Sequence, residues 1–161
     1  MMHALRTPAA LFAAALLAGS AGAQLPVEAH RNQAELLPSA DAHLAANKRL
    51  VFDFWREVVD ARHVEKTADY VASDFVDHDP AGAGGRDAFR STIGGGAARP
   101  VKATIDDLVS IVAERDLVVL AFRRELPDLE HEGQTYTTTA FEMLRIAGGR
   151  IAERWNFTPD E

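Results

Sequence analysis

The chain has 161 residues, 47% of them hydrophobic and 25% charged, with a net charge of −7. It contains no cysteine, which excludes a disulfide framework and a lipid-acylated cysteine, so its fold rests on an apolar core, for which the length suffices. The acidic balance, without any cluster of Lys and Arg, opposes phosphate binding and argues against a nucleic-acid partner.

The first residues read as a secretory signal peptide. Arg6 supplies the positive region, Ala9 to Ala18 the apolar stretch and Ala21-Gly22-Ala23 the small-residue cleavage site. A retained membrane anchor is the alternative, but a bilayer span takes roughly 20 apolar residues, and every later apolar run is broken by charge. Export to the periplasm or the medium is therefore expected, with residues 1–23 removed and no membrane association afterwards. Losing Arg6, the only charged residue of that segment, takes the net charge to −8.

Residues 24–40 contain Pro26 and Pro38 and show no clear period, which reads as a flexible lead-in to a domain spanning 41–161. From Asp41 the spacing of Leu44, Val51, Phe54 and Val58 predicts a helix running to about Ala61, widened by Leu50, Trp55 and Val59. Ser39 is the expected N-cap, and Asp41 suits the positive end of the helix dipole. A short helix follows over Val64 to Ala72, then Phe75 alternates with charge up to Pro80. After a glycine-bearing loop, Phe89 and Ile93 lie one turn apart in a third helix ended by Gly94-Gly95-Gly96.

The remainder reads as strand: Ala103 to Glu114, Leu117 to Leu126, Gln134 to Ile146 and Arg150 to Thr158, the last two joined by a tight Gly148-Gly149 turn. Helices first and antiparallel strands afterwards predict an α+β domain with helices on one face of a curved sheet.

Two segments carry candidate chemistry. In Asp77-His78-Asp79-Pro80 a histidine flanked by carboxylates suits general acid or base catalysis near neutral pH. The other reading is a solvated turn histidine. No HxH or HxxxH spacing supports a chelate, and no metal site is expected. In the closing hairpin, period-2 geometry puts Arg154, Asn156 and Thr158 on one face and Glu153, Trp155 and Phe157 on the other. On the preceding strand Glu142 shares a face with Ala140 and Leu144. Glu142 and Arg154 form either part of a pocket lining or an exposed cross-strand ion pair.

Asp74-Phe-Val-Asp-His-Asp-Pro-Ala-Gly-Ala-Gly-Gly-Arg-Asp-Ala-Phe89 resembles the strand, His-Asn-Pro, loop, Gly, helix segment of SnoaL-like polyketide cyclases. Arg145-Ile-Ala-Gly-Gly-Arg-Ile-Ala-Glu-Arg-Trp-Asn156 is similar to their closing pattern, Arg-x-x-x-Gly-Lys-Ile-x-Glu-His-Trp-Asp. The resemblance covers roughly Asn47 to Pro159. It implies a cone-shaped curled antiparallel sheet closed by N-terminal helices, the nuclear-transport-factor-2-like (cystatin-like) fold, and a homodimer through the open face of the sheet.

By the same resemblance His78 matches a pocket histidine and Trp155 the closing tryptophan. Asn156 stands at the acid/base aspartate of the cyclases, Arg154 where many relatives have histidine and Glu142 where many have aspartate. Those enzymes take a proton from a carbon next to a carbonyl and close a ring by aldol chemistry, with neither cofactor nor metal. Asparagine cannot accept that proton, although it can donate a hydrogen bond to an enolate oxygen. His78 or Glu142 is then the expected base, with Asn156, Arg154, Trp155 and Asp79 holding a small hydrophobic or carbonyl-containing ligand. A non-catalytic binding or dimerisation module of the same fold is the competing expectation.

Overall fold

The computed structural model describes residues 25–79 and 84–157, so the signal peptide and the readings placed on Pro80 and Thr158 lie outside the described residues. Helix α1, Ala42–Phe54, begins where the Asp41 carboxylate accepts from the backbone N–H groups of His43 (2.7 Å) and Leu44 (3.3 Å). That satisfies two of the N–H groups a helix start leaves open. The cap is therefore Asp41 rather than Ser39, whose hydroxyl instead accepts from the Asp41 N–H. The rod continues through Trp55–Asp60 as a π-helical segment, ending next to Ala61. Val51, Phe54 and Val58 are buried in the core, and each such burial contributes roughly 1.5–3 kcal/mol.

Residues 25–40 are docked rather than loose. A short 3-10 turn, Gln33–Leu36, buries the Gln33 side chain, whose amide donates to the Ile105 carbonyl at 2.7 Å and accepts from the Ile105 N–H at 2.8 Å. Lys48 of α1, also buried, donates to the carbonyls of Leu36 and Pro38, both at 2.6 Å. These partners are polar and far apart in sequence, so no local periodicity betrays them.

A 3-10 turn, Val64–Lys66, leads to α2, Thr67–Tyr70, and directly into strand β1, Val71–Asp77; α3 is Arg86–Ile93. The four later strands are β2, Leu108–Glu114, β3, Leu117–Pro127, β4, Thr135–Ala147, and β5, Arg150–Phe157. β2 starts at Leu108, not at the Ala103 expected from composition. Gly148 and Gly149 both have positive φ, 57° and 72°, as the tight β4–β5 turn requires.

The strands form one sheet in the order β1-β5-β4-β3-β2. The three pairings among the four later strands are antiparallel, as expected, and β1 adds a fifth strand that pairs with β5 in parallel. Neighbours joined by tight turns must run antiparallel, whereas the long excursion from β1 to β5 frees that pair from the constraint. The fold is α+β: Phe54, Phe75 and Phe89 bring α1, β1 and α3 together under the sheet, with ring centroids 5.5–6.1 Å apart.

A bulge sets which side chains of β5 face inward. Ile146 pairs with Ile151 but Arg145 pairs with Glu153, so Ala152 is the extra residue. Ile151 and Ala152 are both buried, and the alternation restarts with Glu153 outward and Arg154 inward. Without that residue, period-2 geometry would put Arg154 opposite Ile151, outside the core.

Candidate functional site

β4 presents Ala140, Glu142 and Leu144 to the interior, and all three are buried. Glu142 is opposite Asn156 and Leu144 opposite Arg154 across the β4–β5 ladder. Arg154 grips Glu142 with two parallel bonds, Nε to Oε2 and Nη2 to Oε1, each 2.9 Å. From β1, Asp77 pairs with Arg154 in register, and its carboxylate accepts from Nη1 at 3.1 and 3.3 Å. Asp79 adds a third carboxylate 3.6 Å from Nη1, and its Oδ2 accepts from Asn156 Nδ2 at 3.1 Å. The guanidinium also lies over the Phe89 ring, 5.5 Å from its centroid.

One cation thus serves three carboxylates. Burial pushes the Glu142 pKa up, and the charges of Asp77 and Asp79 add to it, against the opposing pull of Arg154. The Arg154 pKa is raised by Glu142 and Asp77, although burial acts the other way.

Glu142 also lines a pocket of about 310 Å³ between the sheet and the π-helical end of α1. Trp55 and Phe122 form its aromatic wall, with ring centroids 4.8 Å apart, and Val59 and Ala140 extend the apolar lining. Asp60 and Asp106 stand at its edge and also line an adjoining cleft of about 340 Å³ with Arg56, Arg99 and Lys102. A pocket of this size is at the lower end of the range for small-molecule sites, roughly 300–1,000 Å³.

The six residues singled out from sequence do not form one site. Glu142, Arg154, Asp79 and Asn156 come together on the inner side of the sheet. His78 and Trp155 sit on the other side, their rings stacked at 4.6 Å and 6°. There His78 Nε2 meets Glu153 Oε2 at 2.8 Å, and Glu153 Oε1 accepts from Arg145 Nε at 2.6 Å. His78 and Glu142, the two expected bases, thus lie on opposite sides of the sheet, because alternation sends Asp77 and Asp79 inward and His78 outward. The His78 side chain is 38% exposed while that of Asp77 is 1% exposed.

Two residues of the inner side went unassigned from sequence. Asp77 could have been found from its period-2 spacing with the apolar Phe75. Asp60 could not, because it reaches the pocket only through the π turn.

The model of the SnoaL-like domain family matches residues 51–154, most of the chain and all five strands up to Arg154. The chain belongs to the SnoaL-like domain family. Three solved structures share the fold of this SnoaL-like protein. One, from Jannaschia sp. CCS1 and named for a SnoaL-like polyketide cyclase, has a TM-score of 0.52 and 14% identity over 74% of this chain and 90% of that one. Another, from Acidithiobacillus ferrooxidans and named for a polyketide cyclase, has a TM-score of 0.50 and 16% identity over 74% and 90%. A nuclear-transport-factor-2-like protein from Anabaena variabilis has a TM-score of 0.50 and 18% identity over 76% and 97%. At such identities the likeness is one of fold. Among curated proteins no match to the SnoaL-like chain was found.

Proposed function

We propose that this SnoaL-like protein binds a small neutral molecule carrying a carbonyl group, in the pocket between Trp55, Phe122 and Glu142, and acts on it by acid/base chemistry without a cofactor. The observation that carries the reading is an aromatic wall ending on a buried carboxyl backed by a guanidinium. The rings suit a flat apolar body, and the polar end suits an oxygen that must be oriented. A ligand of one or two rings fits about 310 Å³, since an engineered cavity of about 150 Å³ already takes benzene.

A second reading, binding without chemistry, is favoured by the grip of Arg154 on both Glu142 oxygens. A carboxylate held in this way is a weaker base than a free one. The two readings separate with 2-tetralone, a neutral bicyclic ketone with an activated CH2 group. In the chain carrying Trp155→Phe, Trp55 is the only tryptophan left, so its quenching reports binding in the pocket. Binding with proton-to-deuterium exchange at the ketone, lost in Glu142→Gln, supports chemistry; binding without exchange supports the second reading. No quenching by the ketone would remove both.

Export after removal of residues 1–23 and assembly as a homodimer belong to the same proposal. Support for export would be a periplasmic or secreted chain starting at Gln24, whereas a cytoplasmic chain retaining residues 1–23 would count against it.

A further inference from the structure

Asp60 differs from every carboxylate of the Arg154 network in having no cation closed on its side chain. Arg99 donates to the Asp60 backbone carbonyl instead. Arg56 donates to the Lys102 carbonyl at 2.7 Å and to Asp53 at 2.6 Å, and Lys102 is paired with Asp106 at 2.6 Å. Asp60 Oδ2 is buried and makes no hydrogen bond among the described residues. The terminal torsion of an aspartate is broad and roughly two-fold, so a small turn can exchange its two oxygens at the pocket edge.

The π-helical segment is what brings this carboxyl to the pocket. In an α-helix residue i+5 lies about 140° around the axis from residue i. A π turn bonds i to i+5 and brings them toward the same side of the helix, and such turns recur at functional sites. Here the Ala61 N–H donates to the Arg56 carbonyl at 3.0 Å, and Trp55, Val59 and Asp60 all border one pocket.

The surroundings select the ligand's charge. Glu142 faces Asp60 from β4, and Arg123 and Arg124 from β3. On the loop before β2 stand Arg99, Lys102, Asp106 and Asp107, and Arg56 is one turn back on the same helix. Acids and bases are mixed around the cleft, which favours neither an anion nor a cation over a neutral polar molecule.

We propose that Asp60, in its protonated form, donates a hydrogen bond to the carbonyl oxygen of a neutral ligand seated against Trp55 and Phe122. This rests on the small-molecule reading above and adds to it the donor and the ligand atom. The electrostatics of the site act in the same direction: the Asp60 pKa is pushed up to about 6, first by burial and then by the charge of Asp106. The backbone N–H of Asp106, with Arg99 and Lys102, only partly offsets this.

The test is the aspartate carboxyl titration, followed by carbon-13 NMR in the full chain with and without saturating 2-tetralone. Asp60→Asn identifies the Asp60 resonance. A ligand that accepts from the protonated form must raise the pKa of its donor. We expect the Asp60 inflection to rise by about one unit and the ketone to bind about tenfold more tightly at low pH than at high pH. Asp60→Asn should remove that pH dependence. Asp106→Asn keeps the donor and should lower its inflection, so the test survives if Asp60→Asn does not fold. If the ketone quenches Trp55 but leaves the Asp60 titration unmoved, the donor assignment is wrong while the binding reading stands. If the ketone does not quench Trp55 at any pH, both are wrong.

Discussion

On the inner side of β5, Arg154 meets Asp77, Asp79 and Glu142, all largely shielded from solvent. On the outer side, one residue away, Glu153 takes Arg145 and His78 near the surface. Both clusters are ion pairs built across neighbouring strands, and both join β5 to β1. They differ in what surrounds them. Inside, the charges have lost water and depend on one another; outside, solvent screens each pair and can replace either partner. Removing one partner of a buried pair leaves a charge with nothing to compensate it, whereas surface pairs contribute little.

The comparison is broken most directly by Arg154→Met. The replacement keeps much of the side-chain volume over Phe89 but strands three carboxylates. We expect a loss of about 3–5 kcal/mol in urea unfolding at neutral pH. The sign of its pH dependence follows from Glu142, whose pKa burial already raises. A raised acid stabilises the fold below its unfolded-state pKa, and that contribution is lost as pH rises through the folded-state value. The deficit of Arg154→Met should therefore be larger at about pH 8 than at about pH 5. An equal deficit at both would mean that Glu142 does not share the site's charge burden.

The outer side sets a different expectation. Val112, Val119, Met143 and Trp155 follow one another in register across β2 to β5. Beside them Phe141 is 42% and Phe157 72% exposed. An apolar row of this kind is the surface on which the proposed second copy would sit. Phe141→Asp places a charge in it without touching the inner network. Sedimentation at about 10 µM should give twice the mass of a single chain for the parent, and the variant's dimer should be weakened at least about tenfold. A parent that sediments as a monomer removes the homodimer.

What the sequence disclosed of all this follows the local rules it obeys. The helices, the four later strands, the Gly148-Gly149 turn and the inward face of Ala140, Glu142 and Leu144 are written in short-range periodicity. The face shared by Arg154 and Asn156 could be read from alternation, but whether it meets Glu142 was left open, because the meeting depends on the Ala152 bulge, which no spacing announces. Hidden were the features made by contacts distant along the chain: the parallel β1–β5 pair, the docking of Gln33 on Ile105, and Asp60. The last is instructive, because an α-helical reading turns Asp60 away from Trp55 and a π turn restores it. His78 was misplaced for a simpler reason. Its neighbours mark it as chemical, but in a strand neighbours belong to the opposite face.

That misplacement gives the smallest expected effect, and so the finest test of the two-sided reading. His78→Ala removes a ring stacked on Trp155 and one of the two partners of Glu153. It leaves Glu142 and Arg154 untouched across the sheet. Quenching of Trp55 by 2-tetralone, read with Trp155→Phe in both chains, should keep its affinity within about twofold. Any loss of stability should have a definite pH sign. The pKa of Glu153 is held low by His78 first and Arg145 second, so their contribution is present above the ordinary carboxylate range and fades as pH falls through the folded-state value. The variant and its parent should then differ near neutral pH and converge in acid. A large loss of ketone affinity in His78→Ala would place the ligand on the outer face and overturn the assignment of the pocket to Trp55, Phe122 and Glu142.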